Sequence, residues 1–489
     1  MFNAEKYAAL LEGLEVTVKQ FSELSNSDDD TLRFDAEHYQ HHYLAMVNQL
    51  KLHQHSKLLD LIKKSVITGH TPSMKIDRFY DGNIAFIKTD NLRENQIVDS
   101  FTDYLTEAGN AELKSSRLKL NDILVTIIGA TPAIVGRCAI VREEHLPANI
   151  NQNIALIEAD DTKINPNYLN IYLNSKFGRG MLHFHSRQTE QVNLNCREVE
   201  RVLVPLFPKL EVVISDLSNQ SSKLKAASKE LYAEAEQELL EAVGLADFKP
   251  STQNTNIKTF AQSFGVSGRL DAEYYQPKYE EVMAQITSQT HAKLLDVVTI
   301  KKSIEPGSDA YADEGLPFIR VSDFSKTGLT TPDKCLSDEY YEANQKKLNS
   351  LKPKQNTILF SKDGSVGTAY LLREDLHGVT SGAILHLSLK RDDVLPEYLT
   401  LVLNSKLVQM QAERDAGGSI ILHWRVGEIE NVVLPIIALA TQTKISELVQ
   451  QSFSLKAQSE HLLSVAKRAV EIAIEQDEAA AMHFIVNSQ

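Results

Sequence analysis

Apolar positions along this chain follow two periods, and the change from one to the other happens twice. The first stretch holds short apolar runs cut by Gly, Pro, Asn and Asp: "NIAFIK" (Asn83–Lys88), "DILVTII" (Asp122–Ile128), "AIVGRCAIV" (Ala133–Val141) and "NIALIEA" (Asn153–Ala159). Such runs predict strands and turns. "PNYLNIYLNS" then sets Pro166 just inside a helix start and lines Tyr168, Leu169, Tyr172 and Leu173 along one face. At Leu210 the period becomes seven: Leu210, Leu217, Leu224 and Leu231 recur through "KLKAASKELYAEAEQELLEA", rich in strong helix formers. The same change returns later, with Leu448, Leu455, Leu462 and Ala469 at seven-residue spacing. Two long helices in matched positions predict a coiled coil.

The recurrence extends to wording. "RFDAEHYQ" (Arg33–Gln40) and "RLDAEYYQ" (Arg269–Gln276) agree at six of eight positions. "KLLD" at Lys57 returns at Lys293, and "IAFIKTDNL" (Ile84–Leu92) as "LPFIRVSDF" (Leu316–Phe324). "NDILVTIIGATPAIVG" (Asn121–Gly136) is matched by "NTILFSKDGSVG" (Asn356–Gly367), and "REVERVLVPL" by "GEIENVVLPI". "NPNYLNIYLNSK" shares seven of twelve residues with "LPEYLTLVLNSK". Order is kept throughout and the offset drifts only from 236 to 230. A unit of about 230 residues is duplicated, far longer than a solenoid repeat. In addition, "AEKYAALLEGL" (Ala4–Leu14) resembles "AEAEQELLEAVGL" (Ala233–Leu245), the end of the first long helix. A circular arrangement follows, and it predicts neighbouring chain termini.

The 489 residues hold enough apolar surface for several cores, with 43% hydrophobic and 24% charged residues. The longest apolar runs, such as "VVLPIIALA", are too short to span a bilayer. The acidic "MFNAEKYAALLEGLE" has no basic n-region, so no signal peptide is expected. Three scattered cysteines, Cys138, Cys196 and Cys335, fit a reducing cytoplasm and no disulfide framework. Net charge is −14, but unevenly spread: residues 1–50 carry 3 basic against 9 acidic side chains, and residues 51–208 carry 19 against 18. A basic nucleic-acid-binding face must therefore come from geometry rather than composition.

Enzymatic signatures are missing from the sequence. It has no P-loop, no H-E-x-x-H, no paired C-x-x-C, no G-x-S-x-G and no Asp-Pro-Pro-Tyr type methyltransferase tetrapeptide. "SKDGSVG" (Ser361–Gly367) is a tight turn rather than a phosphate loop. His38, His41, His42, His53 and His55 cluster in sequence, but the second copy has Tyr274, Pro277 and Lys278 at matching places, which argues against a required metal set. Trp424, the one tryptophan, is expected in a core opposite Leu194.

Two β-rich units each followed by a long helix, behind a permuted leader, resemble the specificity subunit of type I restriction–modification systems. The likeness rests on "RFDAEHY" and "RLDAEYY", on "TGHTPS" (Thr68–Ser73), on the paired "DILVTIIGATPAIVG" and "TILFSKDGSVG", on the "NYLNIYLNSK" and "EYLTLVLNSK" helices, and on "VPLFP" and "LPIIA" before the coils. "TGHTPS" lacks a clean second copy, since "IEPGSDAY" stands there. The resemblance implies a mixed α/β fold: two β-rich target recognition domains in tandem, joined by two long helices as an antiparallel coiled coil, pseudo-twofold and circularly arranged. The expected segments are a leader helix region (1–32), the first recognition domain (33–208), the first spacer helix (209–247), a linker (248–268), the second recognition domain (269–438), and the second spacer helix with tail (439–489).

The same resemblance implies a non-catalytic reader of a bipartite, asymmetric DNA sequence in the cytoplasm. Two methyltransferase subunits would dock on it and methylate adenine N6, with ATP-hydrolysing restriction subunits joining in a complete system. No cofactor is implied in this chain, and S-adenosylmethionine belongs to the partner subunits. Major-groove readout uses Arg or Lys for guanine and Asn or Gln for adenine. The loops that diverge between copies offer Lys88, Asp90, Asn91, Arg93, Asn151, Gln152, Arg187, Gln188, Gln191 and Asn193 in the first. In the second they offer Arg320, Ser322, Lys326, Ser361, Lys362, Ser419, His423 and Arg425. Two other readings remain: a coiled-coil scaffold with two protein-binding domains, and a fused DNA-modifying enzyme with unrecognised motifs. Affinity for duplex DNA with a methyltransferase partner present separates the first, and catalysis by the purified chain separates the second.

Overall fold

A computed structural model of the chain describes residues 35–73, 76–129, 131–188, 192–417 and 422–488. The leader helix region, Gln191, Ser419 and the expected pairing of the chain termini lie outside the described residues, as does the side chain of Gln188. The chain forms two compact units: one takes the chain up to Leu224 and again from Ala457, and the other is Lys225–Lys456. Each therefore contains one β-rich domain and one half of each long helix.

In the first unit a four-stranded antiparallel sheet runs in the order Ile67–Thr68, Ile154–Ile157, Ile123–Thr126, Cys138–Ile140. Tyr80–Ile87 forms a second sheet, antiparallel to Tyr104–Leu105 and parallel to Ala148–Ile150. A third, two-stranded ladder pairs His55–Lys57 with Leu203–Pro205. The second unit repeats the plan. Its four-stranded sheet runs Val298–Lys302, Ile384–Leu389, Ile358–Ser361, Ala369–Leu371, and His291–Lys293 pairs with Val433–Pro435. Leu316–Ile319 lies parallel to Val379–Thr380, as Tyr80–Ile87 does to Ala148–Ile150. The residue opening each "N-D/T-I-L" strand is a left-handed asparagine, Asn121 at φ 68° and Asn356 at φ 65°, a conformation asparagine tolerates.

Equivalent aromatic posts hold the helices that follow the sheets. Tyr168 and Tyr398 are fully buried, and their hydroxyls donate to the carbonyls of Pro205 (2.8 Å) and Pro435 (2.7 Å). Trp424 lies in the second core, 5.8 Å from the Phe360 ring. The histidines that follow one another in sequence go to separate tasks: His38 stacks on Phe184, His53 meets the carbonyl of Ile474, and His55 meets that of His53. The "DAEHY" and "DAEYY" phrases form short 3-10 turns whose aromatics are half-buried. The Arg269 and Arg414 guanidiniums both lie over the Tyr274 ring, 4.6 and 5.2 Å from its centroid.

Pro208–Val243 and Leu439–Glu475 are the two long helices. In the first unit Leu210, Ile214 and Leu217 share a core with Leu462, Val465, Ala466 and Ala469. In the second, Ala235, Leu239 and Val243 share one with Ile445 and Val449. Between these apolar layers the heptad leucines alternate with serines. The hydroxyls of Ser221 and Ser459 are 2.8 Å apart, and each is within donating distance of the other's carbonyl, so their two protons are shared among these three contacts. Ser228 and Ser452 meet at 3.1 Å, and Ser452 donates to the Ser228 carbonyl at 2.7 Å. All four are buried and satisfied, so the polar layers leave no open donor. Small side chains there let the backbones approach closely.

Asp122 illustrates a difference between copies. It is 3% exposed and accepts from the Lys119 amide, but burial pushes its carboxyl up to about 6, with Glu158 adding repulsion. A raised folded value means that stability is fullest below the ordinary aspartate range and falls as pH rises through about 6. Thr357 occupies the matching place in the second copy. Asp122→Asn keeps the acceptor and is expected to stabilise the first unit by about 1–2 kcal/mol at pH 7, after allowance for screening. At pH 4 the change should be negligible. Urea unfolding at both pH values checks this.

Candidate nucleic-acid interface

In each copy a short 3-10 turn leads into a hairpin. Thr89–Asn91 precedes Leu92–Ile97, with Glu94–Asn95 as its turn, and Val321–Asp323 precedes Phe324–Leu329, with Lys326–Thr327. Asn91 caps its turn by accepting from the Lys88 amide (3.0 Å), and its amide group donates to the carbonyl of Ser100 (3.1 Å). Asp323 does the same for the Arg320 amide, at 2.8 Å. Asn91 is buried, as are Asn151, which accepts from the Asn153 amide, and Ser361, which accepts from the Thr368 amide. The structure gives these three candidates a loop-holding role, because their polar edges are spent inside the domain.

Most candidate cations are paired within their own unit. Lys88 meets Asp103, whose carboxyl that hydrogen bond holds below the usual range. Arg320 meets Asp323 and Asp333, and Lys326 meets Glu236 on the first long helix at 3.2 Å. Lys362 and His423 converge on Asp363, a carboxylate that the sequence pattern does not single out; His423 Nδ1 is 2.9 Å from it. Arg93 donates to the carbonyls of Asp90 and Leu92. Asp90, Arg93, Gln152, Arg187, Ser322 and Arg425 are exposed. Arg187 pairs in strand register with Asn193, at the rim of an apolar cleft of about 390 Å³ floored by Ile127, Ile128 and Leu194. Glu198, in the same wall, lies 3.4 Å from the Arg187 guanidinium.

A basic group missed from the sequence surrounds this loop system. Arg137 and Arg179 both donate to the Ala133 carbonyl. Burial lowers the Arg137 value, and the nearby Arg93 and Arg179 lower it further. Three guanidiniums thus gather near one loop, with the carboxylates of Asp90 and Glu94 beside them. In the second copy Thr368 and Gln409 stand in place of Arg137 and Arg179, and Gln409 donates to the Gly367 carbonyl at 2.8 Å. The loops diverge in chemistry over a common frame. The sequence places Arg137 directly after Gly136 and Arg179 four residues after Ser175, but nothing in it brings the two together.

Residues 290–464 match the family model of the type I restriction modification DNA specificity domain. The four-stranded sheet order of that stretch recurs in the first unit. The second copy thus carries a type I DNA specificity domain. Specificity subunits are the non-catalytic, DNA-recognising component of these systems. Among curated relatives, the type I restriction enzyme EcoBI specificity subunit of Escherichia coli is 30% identical over 135 residues, 28% of this chain and 27% of that protein. The match thus spans about a quarter of the relative's length. Among solved structures, the type I restriction–modification S subunit of M. genitalium is similar over 86% of this chain and 95% of its own, with 12% identity and a TM-score of 0.37. The HsdS subunit of Thermoanaerobacter tengcongensis is similar over 87% and 97%, with 16% identity and a TM-score of 0.28. No described helix is long and apolar enough to cross a membrane.

Proposed function

We propose that this chain is the reading subunit of a type I complex: each β-rich domain recognises one half of a bipartite, asymmetric DNA target. The observation that carries this is the duplicated frame with chemically divergent loops, Arg93, Arg137 and Arg179 in one copy against Ser325, Thr368 and Gln409 at the matching places in the other. Two copies with the same loops would favour like half-sites. The chain docks two methyltransferase subunits that bring S-adenosylmethionine and methylate adenine N6, and ATP-dependent restriction subunits join in a complete system. The two long helices act as an antiparallel coiled-coil spacer between pseudo-twofold, circularly arranged domains, and their length of about 50 Å is of the order needed for half-sites about 34 Å apart. Partner subunits supply much of the phosphate neutralisation, which reconciles DNA binding with a net charge of −14.

Methylome sequencing of the host with and without this gene tests the reading. One split adenine motif should disappear with the gene, and an unchanged methylome would reject it. Arginine contacts divide further. Arg179→Ala should weaken DNA binding on all sequences alike and flatten the salt dependence by about one unit of slope, as loss of a phosphate contact does. Arg187→Ala should instead relax discrimination at one base pair, a change of about 1–3 kcal/mol. Binding isotherms of the assembled complex over a salt series and a panel of single-base variants distinguish the two effects.

A further inference from the structure

Each β-rich domain is fastened to the long helices by two contacts that stand at matching places in the two copies. The first is an arginine clasp. Arg142 lies two residues past the edge strand Cys138–Ile140, and Arg373 two past Ala369–Leu371. Arg142 donates to Asn167 (2.6 Å) and to Ser218 on the first long helix (3.0 Å). Arg373 donates to Glu397 (3.2 Å) and lies 4.7 Å over the ring of Phe453 on the second. Gln450, also on that helix, donates to the same Glu397 oxygen at 2.8 Å. Asn167 and Glu397 each follow the proline that opens a helix, so both clasps bind the same corner of the domain.

The second contact is a latch at the tip of each hairpin, and its polarity is reversed. Glu94, first residue of one turn, pairs with Lys467, which follows the buried seam residue Ala466. Lys326, first residue of the other turn, pairs with Glu236, which follows the buried seam residue Ala235, and also covers the Tyr232 ring at 5.0 Å. Carboxylate on hairpin with ammonium on helix becomes ammonium on hairpin with carboxylate on helix. Either hairpin in the other's seat would face a like charge, which is unfavourable.

We propose that Glu94, Lys467, Lys326, Glu236, Arg142 and Arg373 are positioning residues that fix the angle of each recognition domain on its helices, and that the reversed latches assign each domain to its own seat. This rests on the specificity-subunit reading. One of the side chains considered for base contact thereby changes role: Lys326 is the latch itself, while Arg93 is carried by the hairpin that Glu94 holds. A domain whose angle is fixed accepts one distance between half-sites, whereas a loosened domain accepts neighbouring distances.

The test uses the full chain assembled with its methyltransferase subunits. The readout is the ratio of methylation rates on the native target and on targets whose gap is one base pair longer or shorter. Glu94→Lys and Lys467→Glu should each lower this ratio about three- to fivefold, the range of a half-exposed ion pair. The double reversal should return it to within about twofold of the original. Arg142→Ala should lower it about tenfold, while the preferred bases stay the same. If Glu94→Lys fails to fold, Lys326→Glu with Glu236→Lys runs the same cycle in the second domain. An unmoved ratio in the single variants, or a double reversal as defective as either single, would overturn the proposal. Simple destabilisation lowers all rates together and leaves the ratio alone, which also overturns it. Absence of any split-target methylation by the unmodified complex would reject the specificity-subunit reading itself.

Discussion

Gly69→Ala is expected to unfold the first β-rich domain while leaving the second intact. A Cβ at Gly69 would lie 1.8 Å from the Ile150 carbonyl oxygen, 2.5 Å from its carbon and 2.9 Å from the Asn151 oxygen. All three are backbone atoms, so no side-chain rotation relieves the overlap. Nor can the strand retreat cheaply. Ala148–Ile150 is paired with Tyr80–Ile87, and the Asn151 amide donates to the Ile87 carbonyl at 3.2 Å. Moving it breaks the sheet that carries the first hairpin and uncovers Ile150, which is fully buried. Overpacking costs typically 1–3 kcal/mol, and an overlap with fixed backbone lies beyond that, at about 4 kcal/mol or more. Hydrogen exchange should show lost protection at Ile123–Thr126 and Ile154–Ile157, with Ile358–Ser361 still protected. Gly307→Ala is the control. It stands in "IEPGSDAY", where the second copy departs from "TGHTPS", and a methyl group added there would have no neighbour within 4 Å. That substitution should change stability by less than about 0.5 kcal/mol. Native unfolding behaviour in Gly69→Ala would show that the chain can reroute around Ile150.

Topology was legible because duplication supplies its own check. The strands Ile123–Thr126 and Leu203–Pro205 have counterpart phrases at Ile358–Ser361 and Val433–Pro435, and the four-stranded order is the same in both copies. Side-chain roles were less legible, since a polar residue in a loop pattern has no periodicity to say where it points. Asn91, Asn151 and Ser361 read as groove-facing by type, yet each closes a turn whose amides would otherwise stay unpaired. The helix seam shows the converse. Leucine spacing revealed the heptad, but Ser221, Ser228, Ser452 and Ser459 fill its alternate positions and have the polarity of solvent-facing residues. Their burial depends on each hydroxyl finding a partner on the other helix, 224 or 238 residues away, which local sequence cannot display. Arg137 and Arg179 were missed for a related reason: 42 positions separate them in sequence, and one carbonyl, that of Ala133, brings them together.

Lengthening both long helices by one heptad should abolish methylation of the native target and create activity on a longer one. The seam supplies the design. Ser221 and Ser228 are seven residues apart, as are Ser452 and Ser459, and the two pairs bond Ser221 to Ser459 and Ser228 to Ser452. Duplicating residues 222–228 in the first helix and 453–459 in the second adds one leucine layer and one serine layer to each, in phase with the existing seam. Seven residues add about 10 Å of helix, close to three base pairs of duplex. The shift is rotational as well as axial: three base pairs turn the groove by roughly a third of a helical repeat, whereas an inserted heptad hardly rotates the seam. The DNA must therefore untwist to meet both domains, and the new target should be methylated more slowly than the old. Insertion of the heptad in one helix alone leaves the added serine and leucine without counterparts and should lower stability instead. Methylome sequencing of cells carrying the doubly extended chain reads the outcome directly. Both half-site sequences should persist, with the gap between them about two to three base pairs longer. Retention of the original gap would mean that the helices do not measure the distance, and that the spacing is set by the partner subunits.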